Sequence, residues 1–478
     1  MPTMPIPYYH KSIDFSQLKK DYPPPLEFEQ TIYRWPKDKI RKLQAEKFKK
    51  IIDFAWTNPF YKRKWEEVGL IPSDIKGIED LQKLPVVTVY DFKKAIDMYP
   101  PFGDHQGVTA EIAKNKPFKI HSSGGTTGKP RPTFFGPLEW EVQGISAARS
   151  LYIQGARPGD IIQIPTTAST SNFAWTYYYG SHAWLGVIPI TSGSGLVTPT
   201  RRQVELAREW GTNLWASFPE YMGHIAKVAM NELKFDVRDL KTKFILTFLG
   251  PDLTGKLRKG LEEVWGCDVF DNYGTHELSS VAFECREKTG LHWQEDLGYV
   301  EVVDPDTNEP VENGKKGDLV YTSFYRQHPP LIRYNVKDLM RIIEADKKCH
   351  CGSYLLRTDH FLGRSDEMVK VRGTNVYPMA CLDAIKSDDR STGEWICVVN
   401  RIGQGLEVRD EMSVMVEYRD NNIDKEDFRK QLEERLKSDL GVRVTVEPVP
   451  TRSLAPLTGY GSGEGKVRRL KDNRPSER

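Results

Sequence analysis

The sequence predicts an α/β protein: a large N-terminal α/β domain with a β subdomain, residues 1–362, then a small α+β C-terminal domain, residues 363–478. Three features lead there. Between Leu138 and Gly250 short apolar runs alternate with helical patterns, as in a sheet covered by helices on its faces. From Val300 to Val320 turn signals crowd together, Asp304-Pro305 and Asn313-Gly314 among them, which marks antiparallel hairpins. After a boundary near Phe361 to Glu367 come a β segment, Met368 to Val376, and a charged helix, Lys425 to Leu440, with strands on either side. About 110 residues suffice for such a domain.

Composition narrows the function. The 478 residues carry 68 basic and 66 acidic side chains, a net charge of +2, which builds no field for nucleic acid or a membrane. The expected partner is a small molecule. No apolar run reaches 18 residues, and Met1 to Lys19 lacks the apolar core of a signal peptide, so a cytoplasmic protein is expected. Six cysteines in a chain of this length argue against a disulfide scaffold and direct attention to thiolate or metal chemistry.

Along the chain, Phe28 to Trp35 and Ile40 to Thr57 show helical spacing, and Asn58 to Trp65 reads as a further helix turn rich in aromatics. Leu84 to Ile96 passes from a strand-like run into a helix. Pro117 to Ile120 and Pro132 to Phe135 read as strands, and the loop between them, His121 to Arg131, is H-S-S-G-G-T-T-G-K-P-R. Gly124, Gly125 and Gly128 let main-chain amides approach an anion, and the hydroxyls of Ser123, Thr126 and Thr127 with Lys129 add donors, which suits a polyphosphate. A Walker loop is disfavoured, because Pro130 removes a donor and blocks the helix that such a loop opens. Leu138 to Gln154 is a helix and Gly159 to Pro165 a buried strand. The aromatic stretch Thr170 to Ile190 is either core or the wall of an apolar slot. Val204 to Trp210 is a helix, Asn213 to Ser217 and Phe244 to Gly250 are strands, and Asp268 to Glu277 is a strand ending in a polar loop. Open α/β sheets hold ligands at the carboxyl ends of their strands, where Gly250, Tyr273 and Glu277 are expected to cluster.

Five stretches, in order, resemble the adenylate-forming superfamily of acyl-CoA ligases, luciferases and nonribosomal adenylation domains: the loop His121 to Arg131, "NYGTHE" (Asn272 to Glu277), "IRYNVKD" (Ile332 to Asp338), "GRSDEMVKVRGTNVYP" (Gly363 to Pro378) and "GEGKVRRL" (Gly463 to Leu470). The wording "SSGGTTGKP", "IRYNVKD" and "KVRGTNVYP" is most similar to the phenylacetate-CoA ligase branch. The resemblance covers most of the chain from about Leu84. It implies an adenylate-forming α/β domain that binds ATP and acid, and a mobile C-terminal domain. The reaction it implies is ATP-dependent joining of an aromatic acid to CoA through an aryl-adenylate, with release of AMP and pyrophosphate.

The resemblance also implies roles. Ser123, Gly124, Gly125, Thr126, Thr127, Gly128, Lys129, Gly250, Asp252, Asn272, Tyr273, Gly274, Asp338 and Arg364 would bind ATP, with Tyr273 on the adenine and Asp338 on the ribose. Thr275 would bond the nascent acyl phosphate, Glu277 would hold magnesium, and Lys466 would be the catalytic lysine. Asp366 would be the hinge, and Gly373 would border a CoA tunnel. Phe173, Trp175, Tyr178, Phe218 and Tyr221 would line the acid pocket. A homodimer is also implied. Departures from the pattern fall at Gly124 and Arg131 in the phosphate loop, at Asn335 and Lys337, and at Gly250-Pro251-Asp252, where the superfamily usually has Gly-Glu.

Separately, Cys285 and His292, spaced C-x6-H, and Cys349 and Cys351, spaced C-x-C, are ligand types for a structural zinc, with His350 as a rival ligand. Free thiols in loops are the alternative, and zinc-containing members of the branch carry similar sets. Two other functions remain open: an adenylating enzyme with a carrier protein or another acceptor, and a non-catalytic nucleotide- and zinc-binding protein.

Overall fold

The computed structural model describes residues 6–122, 131–250, 252, 255–344, 347–365, 369–371, 374–376, 378–402, 409–420, 422–460 and 467–474. Ser123, Gly124, Gly125, Thr126, Thr127, Gly128, Lys129, Asp366, Gly373 and Lys466 lie outside the described residues. Contacts divide the chain into two units, Met1–Phe361 and Leu362–Arg478.

The first unit opens with helices α1 (Phe15–Asp21), α2 (Pro25–Gln30), α3 (Lys37–Ala55) and α4 (Pro59–Glu66). The long α3 buries Ile40, Phe48, Ile51 and Ile52, one face at helical spacing, so it docks by a single apolar stripe. Strand β1 (Val87–Thr88) runs into α5 (Val89–Met98), whose start is fixed by Thr88 and Asp91 bonding each other's backbone amides in a capping box. Then come α6 (Ala110–Asn115) and the antiparallel pair β2 (Lys119–Ser122) and β3 (Pro132–Phe135). Helix α7 (Pro137–Gln154) follows, started by a proline at its first turn and by Glu139 accepting from the amide of Gly136 at 3.0 Å.

The sheet behind α7 is continuous. Strands β4 (Ile161–Gln163), β5 (Ile188–Ile190), β6 (Leu214–Ala216), β7 (Phe244–Thr247) and β8 (Asp268–Thr275) pair in parallel in the order β5-β4-β6-β7-β8. Helices α8 (Phe173–Tyr179), α9 (Thr200–Trp210), α10 (Pro219–Asn231) and α11 (Lys256–Trp265) connect them. Two apolar clusters flank these strands: one joins Ala147 and Leu151 of α7 to Ile162, Leu214 and Phe270, the other joins Val204, Ile225 and Trp265 to Trp215 and Val269. Alternate residues of one strand thus feed opposite faces.

Antiparallel strands, among them the β region predicted between Val300 and Val320, extend the same sheet. They are β9 (Ser279–Glu284), β10 (Leu291–Trp293), β11 (Gly298–Val303), β12 (Lys316–Ser323), β13 (Tyr334–Glu344) and β14 (Arg357–Thr358), and the path continues β8-β9-β10-β14-β13-β12-β11. Strand β8 is therefore the seam between the two halves, parallel to β7 and antiparallel to β9, with Tyr273 opposite Ala282. A fully buried ion pair, Arg149 Nη2 to Asp296 Oδ2 at 3.0 Å, ties α7 to the β10–β11 connection. Lys47 of α3 donates to the carbonyls of Asp21 and Asp296.

In the second unit, β15 (Val369–Val371) and β16 (Thr374–Val376) form a hairpin, and short helix α12 (Leu382–Lys386) leads into β17 (Ser391–Ile402) and β18 (Arg409–Tyr418). With β19 (Thr445–Pro450) and β20 (Leu470–Asp472) these make a sheet of order β19-β18-β17-β20. Helix α13 (Lys425–Leu440) is capped by Asp424 and stopped by left-handed Gly441, and buries Phe428, Leu432, Leu436 and Leu440 on that sheet. The one-turn helix α14 (Ala455–Thr458) precedes β20. Among the described residues no helix is long and apolar enough to cross a membrane.

Candidate active site

Because β6, β7 and β8 are parallel, the residues after their carboxyl ends, Ser217-Phe218, Gly250 and Thr275 to Glu277, emerge along one edge of the sheet. The β2–β3 pair brings Arg131 to the same place. Its Nη1 lies 2.9 Å from Glu277 Oε1, with both side chains largely out of solvent. Burial works to raise the Glu277 carboxyl, but Arg131, and His276 beside it, outweigh that and hold it below the ordinary carboxylate range. Thr275 Oγ1 donates to Glu277 Oε2 at 3.4 Å and accepts from the amide of Leu278 at 3.2 Å. His276 Nε2 pairs with Thr133 Oγ1 of β3 at 3.1 Å, and burial pushes its pKa down to about 4, so the ring is neutral near pH 7. This anionic corner is thus built by two strand systems far apart in sequence.

The turn that carries it is tight. A Cβ at Gly274 would stand 2.2 Å from the carbonyl oxygen of Ser279, and Ser279 itself sits at φ +63, a left-handed conformation rare for residues other than glycine. Gly274→Ala is expected to destabilise the protein by about 2–3 kcal/mol, since backbone rather than a flexible side chain must move. Urea denaturation checks this, and a change under about 0.5 kcal/mol would mean that the turn yields freely.

On the β8 side, Tyr273 and Asp338 are bonded to each other, hydroxyl to Oδ2 at 2.7 Å, and the Tyr273 ring is buried against Trp293. Asn272 Oδ1 accepts from Gln154 Nε2 at 2.9 Å. Gly250 takes φ +68 after β7. The Asp252 carboxylate is taken up by the amides of Leu257 at 3.1 Å and Arg258 at 2.9 Å, so it serves as a cap for α11. Arg364 belongs to the second unit.

The five rings proposed for an acid pocket do not form one cluster. Phe173 stacks on Phe218 at 5.1 Å and meets Phe248 at 5.4 Å. Trp175 and Tyr178 meet edge-on at 6.4 Å, and Trp175 also carries the Lys119 ammonium over its face at 3.3 Å. Burial pushes that ammonium down to about 8. Tyr221 is elsewhere. Its hydroxyl bonds Thr200 and Gln203, both at 3.0 Å, and its ring packs in the cluster around Trp215 and Trp265, because α10 starts at Pro219 and turns position 221 towards α9. Sequence reading missed His121, Gln143, Asn172 and His276, which border the corner. The two histidines lie beside and within motifs already singled out, so position alone could have flagged them.

A second constellation lies at the far side of β9. The ligand atoms of Cys285, His292, Cys349 and Cys351 all fall within 4.8 Å of one another. Cys285 Sγ and Cys349 Sγ are 3.9 Å apart, and Cys351 Sγ is 3.7 Å from His292 Nε2. A tetrahedral zinc, with bonds of about 2.3 Å to sulfur and about 2.0 Å to nitrogen, sets such atoms about 3.8 Å and 3.5 Å apart. Tyr33 donates to Cys351 Sγ at 3.1 Å and also stacks on Phe283 of β9. Three thiols and an imidazole nitrogen converging this closely fit a metal.

A half-parallel, half-antiparallel sheet followed by a separate α+β unit is an arrangement shared with a solved adenylate-forming ligase, and comparisons with known proteins assign the chain to that class. The AMP-binding enzyme C-terminal domain family matches residues 373–474. A phenylacetate-coenzyme A ligase of Thermus thermophilus is 30% identical over 462 residues, spanning 92% of this chain and 98% of the relative. A ligase of the same name from Escherichia coli K12 is 29% identical over 448 residues, 91% and 95% of the two chains. A crystal structure of 2-hydroxyisobutyryl-CoA ligase in the postadenylation state, in complex with 2-HIB-AMP, superposes with a TM-score of 0.79 at 26% identity, covering 93% of this chain and 92% of that one. The chain belongs to the phenylacetate-CoA ligase family.

Proposed function

We propose that the protein joins an aromatic carboxylic acid to CoA in two steps. An oxygen of the acid attacks the α-phosphorus of ATP and pyrophosphate leaves. The CoA thiol then attacks the acyl carbon, and AMP leaves. The observation that carries this reading is the Thr275-His276-Glu277 corner at the end of β8, with Arg131 delivered to it from the end of the phosphate loop.

In this reading Glu277 holds magnesium. The cation would neutralise charge on the transferring phosphoryl group. Glu277 suits it, being an ionised carboxylate held in place by Thr275 and Arg131. Thr275 is placed to donate to a phosphoryl oxygen, and Asp338, positioned by Tyr273, to accept from ribose hydroxyls. Ser123 to Lys129 would surround the β- and γ-phosphates, Lys466 would stabilise the charge that develops in adenylation, and rotation about Asp366 would bring the CoA channel near Gly373 into use. Phe173, Trp175, Tyr178 and Phe218 remain the proposed walls of the acid site.

The Cys285, His292, Cys349 and Cys351 group is proposed to hold zinc. With four protein ligands it would leave no open coordination position, so its role is structural.

Acid-dependent exchange of labelled pyrophosphate into ATP tests the first step, and the panel should include 2-hydroxyisobutyrate, the acid named for the structural neighbour. The lack of exchange with any acid of a broad panel would favour a binding protein. Thioester formation with free CoA then separates a CoA ligase from an enzyme that serves a carrier protein. Lys466→Ala is expected to lower exchange by roughly 100-fold or more while largely sparing thioester formation from supplied adenylate. Equal loss in both steps would remove the lysine from its proposed role.

A further inference from the structure

Two buried carboxylates lie side by side next to the residues proposed for the nucleotide. Asp271 of β8 and Glu284 of β9 are both out of solvent, and the amide of Asp271 donates to Glu284 Oε2 at 2.7 Å. Two buried carboxylates so placed repel unless cations join them. One cation is Arg258 of α11, whose Nη2 donates to Glu284 Oε1 at 2.8 Å. The other place is taken by His360, with Nδ1 2.8 Å from Asp271 Oδ2 and Nε2 3.3 Å from Glu284 Oε1.

A neutral imidazole has one N–H and could serve one of these oxygens. An imidazolium has two, serves both, and sets two cations against two carboxylates. Burial works against a charge on His360, but the bond to Asp271 and the charges of Asp271 and Glu284 outweigh it and raise the ring above its ordinary pKa. Burial also raises the Glu284 carboxyl, yet both of its oxygens already accept from N–H groups, so it meets His360 as an acceptor. The neighbouring carboxylate, Asp359, is taken up by Arg341 of β13 at 2.8 Å.

This group is bonded into each stretch proposed to meet the nucleotide. Asp271 Oδ1 accepts from the amide of Leu249 at 2.8 Å, the residue before Gly250, and Asp271 itself precedes Asn272 and Tyr273. Arg258 holds Glu284 by its guanidinium and the Asp252 carboxylate by its own amide, the latter at 2.9 Å. One protonated ring thus ties the ends of β7, β8 and β9 to the start of α11, and it does so one residue before the first unit ends at Phe361.

We infer that His360 is a positioning residue for the nucleotide: bonded as a cation between Asp271 and Glu284, it holds Gly250, Asp252, Asn272 and Tyr273 in the arrangement that binds ATP, and loss of its proton loosens them. A ring whose pKa is raised by folding contributes fully below its ordinary value of about 6.5, and the contribution fades as the pH rises through the raised value. The inference rests on the nucleotide site of the ligase reading above and deepens it.

The test is ATP binding by titration calorimetry, on the full chain, from about pH 6.5 to about pH 9.5. In the unmodified protein Kd is expected to rise at least about 5-fold across that range, the lower end for coupling between two groups of sites. In His360→Gln, or His360→Asn should the first not fold, Kd should already be raised by that factor at the acid end and stay nearly level with pH, which removes the titration of ATP itself as the cause. KM for ATP in pyrophosphate exchange should follow Kd, with kcat at saturating ATP little changed, and thermal melts at each pH confirm that the proteins are folded. A melting temperature that falls with pH while Kd stays level would make the group a structural clasp and overturn the inference, as would an equal pH dependence in the folded variant. Failure of the unmodified protein to bind ATP at any pH overturns the nucleotide reading, and this one with it.

Discussion

Glu277→Gln is expected to lower acid-dependent pyrophosphate exchange by roughly 100- to 1,000-fold, the range for removing one preorganised electrostatic group from an active site. The carboxylate has two duties that the experiment must separate. It balances the Arg131 guanidinium at 2.9 Å, and in the proposed mechanism it binds magnesium. Stranding the partly exposed Arg131 guanidinium costs less than the ~3–5 kcal/mol of a fully buried pair, but the single variant will still be less stable. The double variant Arg131→Gln/Glu277→Gln removes both charges and should recover most of the stability in urea denaturation, yet none of the exchange at any magnesium concentration. If the double variant regained activity, Glu277 would be a structural counterion only.

Cys349→Ser is expected to take bound zinc from about one ion per chain to near zero, with a loss of about 4 kcal/mol or more in stability. Metal analysis by mass spectrometry and thermal melting read the two effects. His350→Ala is the control, because the convergent group contains His292 and not His350. Zinc retained by the serine variant, or lost from the His350 variant, would redraw the ligand set.

How far the sequence reveals this protein depends on how local the cause is. Helix α13 matches its predicted span, Lys425–Leu440, since Asp424, four buried apolar residues and Gly441 are all local signals. The alternation of strands and helices likewise marks the parallel half of the sheet. The long-range pairings are not legible. Arg131 reads as a departure within the phosphate loop, and only the fold shows that it reaches Glu277, which lies on a different strand system. Asn335 and Lys337 read as departures too, and both turn out to hold the buried carboxylate of Asp318, each at 2.9 Å. Tyr221 is expected with Phe218 in the acid pocket, and α10, which starts at Pro219, packs its ring in the cluster around Trp215 and Trp265 instead of beside Phe218. Gln143 and Asn172 are polar residues beside a helical pattern, which ordinarily means solvent, and their burial is set by the packing of α7 on α8.

Strand β8 gives the proposed zinc cluster and the Thr275–Glu277 corner a shared fate. Cys285 is the first residue beyond β9, and β9 is laced to β8 from Asn272 opposite Phe283 to Thr275 opposite Ser279. A chelator acting at one end of that ribbon would fray it progressively towards the other, reaching the Tyr273–Asp338 clasp before Thr275. Loss of a metal held by that cluster should therefore blunt nucleotide affinity before the chain melts, so a preparation assayed without attention to its metal content would understate the enzyme while still looking folded.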